Sequence, residues 1–113
     1  MKLPSEALLL RIFIGESDKA EGRPLHEVIV ELARKKGMAG ATVTRGFLGF
    51  GAASRIHTSK VLRLSEDLPI VVEIVDAAGS IEAFLPELDE LIGEGLVTLE
   101  KVRVITYRHQ MSD

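Results

Sequence analysis

The sequence predicts an α+β sandwich: one antiparallel sheet with two helices on a single face, its elements in the order βαββαβ. Two segments, one opened by Pro24 and one by Gly79-Ser80, repeat apolar residues at helical spacing. Four others, over 7–15, 40–48, 70–76 and 96–107, are alternating or β-branched runs of strand length. At 113 residues the chain has room for one domain with a single modest core.

In the first strand Leu8, Leu10, Ile12 and Ile14 line one face, and Leu9, Arg11 and Phe13 the other. One wholly apolar face and a second mostly apolar one suit a central strand. Residues 15–23 are a loop by composition. Strand-to-helix loops usually take about 2–6 residues, so the excess length points to function as readily as to a surface insertion. Pro24 suits the first turn of a helix, where a missing N–H costs nothing. Leu25, Val28, Ile29, Leu32 and Ala33 follow at helical spacing, and Gly37 supplies the stop. His26 falls beside this stripe, as a solvated or capping histidine.

The second strand, 40–48, puts Arg45 on one face with Val43 and Phe47, an odd site for a charge unless a partner or a ligand meets it. Residues 60–64 have the character of a short strand and 65–69 of a turn. Residues 70–76 form the most β-prone run, near the sheet centre. Whether 60–64 and 70–76 are one bent strand or two stays open. In the second helix Ile81, Phe84, Leu85, Leu88, Leu91 and Ile92 form the apolar stripe. Pro86 inside it implies a late start or a kinked first turn. Gly93-Glu94-Gly95 turns the chain into the last strand, 96–107, where Arg103, Ile105 and Tyr107 share a face. The polar tail beyond is expected to fray. This order describes a ferredoxin-like sandwich. Its helical stripes cover one sheet face; the other carries Leu9, Phe13, Val71, Val75 and Ile105, which a lone monomer would expose. Burial between subunits is expected there.

Composition narrows the function classes. Apolar residues make up 46% and charged ones 27%, which excludes a disordered chain. No apolar run approaches a membrane span. No signal peptide is expected, because Pro4 and Glu6 stand where its apolar region would begin. Without cysteine there is no disulfide framework, thiol chemistry or thiolate metal site. The expected compartment is the cytoplasm.

The net charge of −3 hides an uneven distribution. From Leu32 to Ser65 there is no Asp or Glu, yet Arg34, Lys35, Lys36, Arg45, Arg55, Lys60 and Arg63 fall there. The first three suit a helix C-terminus. The other four flank Gly46, Gly49, Phe50 and Gly51 and suggest an anionic ligand. The glycines do not form a Walker loop, since Ala52-Ala53 follows where Lys and Ser or Thr would be needed. Nor do they form a dinucleotide fingerprint, because no helix pattern opens after them. Taken alone they signal a turn or bulge more often than a ligand contact.

Several motifs together resemble the PII-like signalling family. They are Pro24-Leu25-His26-Glu27, Ala39-Gly40-Ala41-Thr42-Val43-Thr44-Arg45-Gly46, Gly49-Phe50-Gly51, Ser54-Arg55-Ile56-His57-Thr58, Leu68-Pro69-Ile70-Val71 and Gly95-Leu96-Val97-Thr98. The resemblance covers nearly the whole chain, so residues 1–113 read as a single PII-like domain of the nitrogen-regulatory PII superfamily. It implies a homotrimer with its sheets facing inward and ligand sites in the clefts between subunits. Adenine nucleotides (ATP, ADP or AMP) are the ligand class it implies, as regulatory ligands; no cofactor is required. It further implies a signalling loop after Gly51, and a membrane partner such as a fluoride exporter.

There are departures. The loop is shorter than in PII proteins proper and holds no tyrosine, which excludes tyrosine nucleotidylation. The turn Gly93-Glu94-Gly95-Leu96 carries an acid where the family's phosphate-binding turn carries a lysine. Any phosphates then look to Arg23, Arg55, Arg103 and Arg108. The candidate ligand-binding residues are Arg45, Gly46, Gly49, Phe50, Gly51, Arg55, His57, Arg103 and Arg108. The leading reading is a non-enzymatic, ligand-sensing regulatory trimer. One alternative is a regulator of a fluoride exporter without nucleotide dependence. Another is a small enzyme acting on a nucleotide, although His26, His57 and His109 are scattered and no nucleophile–base pair or metal-spaced cluster is visible. Nucleic-acid binding is not expected, since this fold would need exposed aromatics on its central strands and only Phe13 and Tyr107 offer themselves.

Overall fold

The structure, a computed structural model, describes residues 3–50 and 67–108. The main sheet is built from β1 (Glu6–Gly15), β4 (Thr42–Arg45), β5 (Pro69–Asp76) and β6 (Leu96–Arg103). Their order across it is β4-β5-β1-β6, every pairing antiparallel. The helices are α1 (Leu25–Lys35) and α2 (Ala78–Leu91). A two-stranded ribbon of β2 (Lys19–Ala20) and β3 (Arg23–Pro24) precedes α1. This is the ferredoxin-like α+β fold. Residues 60–64, whose strand character is read from sequence, lie outside the described residues.

Alternation decides which face is buried. β1 turns Leu10, Ile12 and Ile14 toward the helices, and β5 turns Ile70, Val72 and Ile74. These pack with Leu25, Ile29 and Ala33 of α1 and Ile81, Phe84 and Leu88 of α2. Fully burying one such side chain is worth about 1.5–3 kcal/mol. The pairs Leu10–Ile74, Ile12–Val72 and Ile14–Ile70 lie directly opposite one another, so a one-residue slip would turn all of them to the other face.

The predicted loop 15–23 holds more order than its composition suggests. Glu21 and Gly22 have φ of 56° and 75°, the two positive values of a type I′ hairpin turn, and the excess length folds into β2 and β3. Arg23 closes this ribbon onto α1 with a bidentate pair to Glu31. Pro24 is therefore the residue just before α1 rather than within its first turn. α1 stops as expected: Gly37 has φ 73°, Gly37 N–H donates to Arg34 O at 3.0 Å, and Met38 N–H donates to Ala33 O at 3.1 Å. That pair of bonds is a Schellman motif. α2 neither starts late nor kinks in its first turn, because Pro86 sits in mid-helix on the exposed side. Pro86 removes the N–H that would bond the carbonyl of Glu82, and both residues are exposed.

Two predicted strands are shorter. β4 ends at Arg45, because Gly46 and Gly49 fold the chain back over the Pro69 ring; a Cβ on them would lie 2.9 and 3.1 Å from its Cγ. Phe47 therefore shares no strand face with Arg45 and is 90% exposed. β6 ends at Arg103, where its partner runs out: β1 begins at Glu6, the residue opposite Arg103, and beyond it Val104 N–H still reaches Ser5 O at 2.7 Å.

The helices cover β1 and β5 and leave β6 bare. Val97 and Leu99 lie opposite Ile12 and Leu10 on the helix side, yet are 39% and 44% exposed. On the other face Leu9, Val71 and Val75 are half-buried, Phe13 is exposed, and Arg11 bridges Glu73 (2.7 Å) and Glu100 (3.2 Å) across three strands.

Two predictions follow from backbone and charge. Gly95 has φ 152°, and a Cβ there would stand 2.8 Å from Phe13 O, whereas Gly93 has open space. Gly95→Ala should lower stability to urea by about 1–3 kcal/mol through strain, while Gly93→Ala should stay within about 0.5 kcal/mol. The Arg23 guanidinium, hydrogen-bonded to Glu31, holds that carboxyl below its usual range. A depressed folded-state value means the pair's contribution is full above the ordinary glutamate range and is lost as pH falls below that range through the lowered folded-state value. The urea midpoints of wild type and Arg23→Gln should therefore differ at pH 7 and converge in acid.

Candidate functional site

The described candidate residues fall into two groups at opposite ends of the sheet. Arg45 pairs with Ile70, opposite Ile14, whereas Arg103 pairs with Glu6. Positions 14 and 6 are separated by roughly 27 Å of extended strand, and two further strands intervene laterally. Gly51, Arg55 and His57 lie outside the described residues.

At the first end Arg45 has a partner within the chain: its Nη1 is 2.7 Å from Glu16 Oε2. Glu16 itself is fixed, its N–H donating to Leu68 O at 2.8 Å, and Ser17 N–H donates to Asp67 Oδ1 at 3.0 Å. Gly46 N–H donates to Pro69 O at 2.8 Å. This knot joins the 15–18 turn to both flanks of the segment between Phe50 and Asp67. The tight turn over Pro69 accounts for Gly46 and Gly49 without a ligand. Phe50, 66% exposed, belongs to the same turn. Arg23, read as a phosphate candidate, is held by Glu31 on the α1 surface.

At the second end lies an open cleft of about 460 Å³ on the sheet face away from the helices. Leu9 and Val75 form its apolar floor, and Ala39-Gly40-Ala41-Thr42 one wall. Val104, Thr106 and Tyr107 run along it, and Glu73 enters from β5. This volume lies within the usual range for small-molecule sites, roughly 300–1,000 Å³. Glu73 Oε2 accepts from Arg11 Nε, and Oε1 has no hydrogen-bond donor among the described residues. The same contact, led by the Glu73 hydrogen bond, raises the Arg11 guanidinium pKa. Arg103 and Arg108, immediately before and after the lining segment, are exposed and form no ion pair among the described residues.

The wall is built from the buried side. Asp76 has the same parity as Ile70, Val72 and Ile74, so the β5 alternation carries a carboxylate into the core edge, where it is 1% exposed. Its Oδ2 accepts Ala39 N–H at 2.9 Å and its Oδ1 accepts Ala77 N–H at 2.7 Å, satisfying it. On the open side, Tyr107 donates its hydroxyl to Ala39 O at 2.9 Å. Glu73, Asp76 and the 39–42 wall were not among the sequence candidates. An acid closing an apolar strand in the buried phase was the available signal for Asp76. Tyr107 was visible as the only tyrosine, but its direction was not.

Among the described residues, no group of three His, Cys, Asp or Glu side chains converges to hold a metal ion, and no helix is long and apolar enough to cross a membrane.

Comparison with known proteins gives the family and the fold. The DUF190 family model, described as "Uncharacterized ACR, COG1993", matches residues 7–104. A UPF0166 protein of Aquifex aeolicus is 42% identical over 97 residues, covering 86% of this chain and 91% of that protein. A UPF0166 protein of Methanocaldococcus jannaschii is 34% identical over 100 residues, covering 88% and 92%. Among solved structures, CPII of Thiomonas intermedia K12, a nitrogen regulatory PII-like protein bound to ADP, AMP and bicarbonate, superposes with a TM-score of 0.53 at 18% identity over 88% of each chain. Its complex with ADP, AMP and acetate gives the same score at 17% identity. The chain belongs to the DUF190 family and has the PII-like, ferredoxin-like fold.

Proposed function

We propose that this protein is a non-enzymatic PII-like regulator that binds an adenine nucleotide in clefts between the subunits of a homotrimer. The observation that carries this reading is the sheet-end cleft bracketed in sequence by Arg103 and Arg108. A planar base suits apolar walls such as Leu9 and Val75 beside the Tyr107 ring. The free oxygen of Glu73 can accept from an exocyclic amine, and the 39–42 wall offers backbone groups. Guanidinium forks suit phosphate better than ammonium groups do, which offsets the acid at Glu94. That CPII was solved with ADP and AMP supports the nucleotide class.

The separation of the two candidate groups supports a site shared between chains. A nucleotide is too short to span the sheet from Arg103 to Arg45. Both groups can serve one ligand only if a second copy supplies one of them. The bare β6, with Val97 and Leu99 uncovered, and the exposed Phe13 give such a copy apolar surface to bury. The loop after Gly51 is the route by which binding would be signalled.

Titration calorimetry with ADP, AMP and ATP tests the reading. Wild type should bind at least one of them, and Arg103→Ala and Arg108→Ala should each weaken binding by roughly 1.5–3 kcal/mol, the scale of a hydrogen bond to a charged group. Unchanged affinity in both variants would move the phosphate site elsewhere. Light scattering on a gel-filtration column should give three times the chain mass. A monomer at micromolar concentration would remove the shared cleft.

A further inference from the structure

Ala39, in the wall of the sheet-end cleft, is held from two sides by bonds of different kinds. Its N–H goes to Asp76, buried at the junction of β5 and α2. Breaking that bond would strand a carboxylate away from water. Its carbonyl accepts from the Tyr107 hydroxyl, at a ring still 41% exposed. Tyr107 closes a short segment, 104–107, whose root is the Val104 N–H to Ser5 O bond. Between root and tip, Ile105 is 77% exposed, so little apolar burial holds the segment down. Segments with few buried contacts open at the lowest free energies in a structure.

We propose that residues 104–107 are a strap over the cleft, latched by the Tyr107 hydroxyl on the Ala39 carbonyl, which opens to admit a ligand and closes behind it. The wall stays in place when the strap opens, because Asp76 holds Ala39 independently. The cleft is thus preformed on one side and gated on the other. A ligand that lets the latch close dissociates only after the latch reopens, so residence time is set at Tyr107 and not only by the arginines. The identity of the ligand rests on the nucleotide reading above; the latch rests on the strap alone.

Tyr107→Phe removes the hydroxyl and keeps the ring, and the site is exposed enough for the fold to be retained. In the ligand-free protein, amide exchange at Val104 should accelerate about two- to tenfold, the effect of one lost neutral hydrogen bond. Exchange at Ala39 should not change, since Asp76 still holds it. Chain opening can also be read in wild type from iodide quenching of tyrosine emission, because Tyr107 is the only tyrosine and there is no tryptophan. With ADP as probe in stopped flow, association and dissociation rates should both rise in the variant, by more than the dissociation constant changes. Equal Val104 exchange in the two proteins overturns the latch, whatever nucleotide does. Faster exchange with unchanged ADP rates overturns its role as a gate. Faster exchange with no nucleotide bound by either protein supports the latch and overturns the nucleotide reading instead.

Discussion

The antiparallel pairing of β1 with β5 is the constraint on which the rest of the structure depends. It sets Leu10, Ile12 and Ile14 opposite Ile74, Val72 and Ile70, and this apolar surface is what α1 and α2 cover. The same register decides what happens at both sheet ends. At one, Gly15 meets Pro69, and the 15–18 turn ties itself to Asp67 and Leu68. At the other, Asp76 falls opposite Leu8 and in phase with the buried row. A carboxylate there must find donors, and the nearest are backbone N–H groups of Ala39 and Ala77. The position of the cleft wall is therefore a consequence of strand parity at the centre of the sheet.

β6 is the element least accounted for by its own chain. It completes the sheet, but the helices stop short of it, and apolar side chains on both of its faces are left open. The Glu73–Arg11–Glu100 row keeps the opposite sheet face from being uniformly greasy, with the ion pairs crossing strands where alternation would allow another apolar row. Such a surface is poor for a solitary domain and well suited to a neighbour that is both apolar and polar.

The glycines illustrate how one residue type serves different purposes. Gly46 and Gly49 are needed because the Pro69 ring occupies the space a Cβ would take. Gly95 is needed because β6 begins hard against the Phe13 carbonyl with a backbone angle only glycine adopts readily. Gly37 ends a helix. Each is explained by local packing, so a glycine-rich motif beside basic residues is weak evidence for a ligand until its neighbours in space are known.

Periodicity and glycine placement were sufficient for the order of the four main strands and two helices, the buried faces of β1 and β5, the helix stop at Gly37 and hence the fold, because these follow from side-chain alternation and backbone preference along short stretches. The bare second face was legible in the same way; the family resemblance was legible from the motifs and their order. What only the tertiary structure decided were the ends of elements and the partners of charges. β4 stops at Arg45 because Pro69, distant in sequence, sits under Gly46 and Gly49; β6 stops at Arg103 because its partner strand runs out. Arg45 was legible as an anomalous charge, but Glu16 as its partner was not, nor were Arg23 with Glu31 or Asp76 with Ala39. Those pairings depend on through-space register between segments far apart in the chain, and side-chain chemistry says that a charge needs a partner without saying which one it meets.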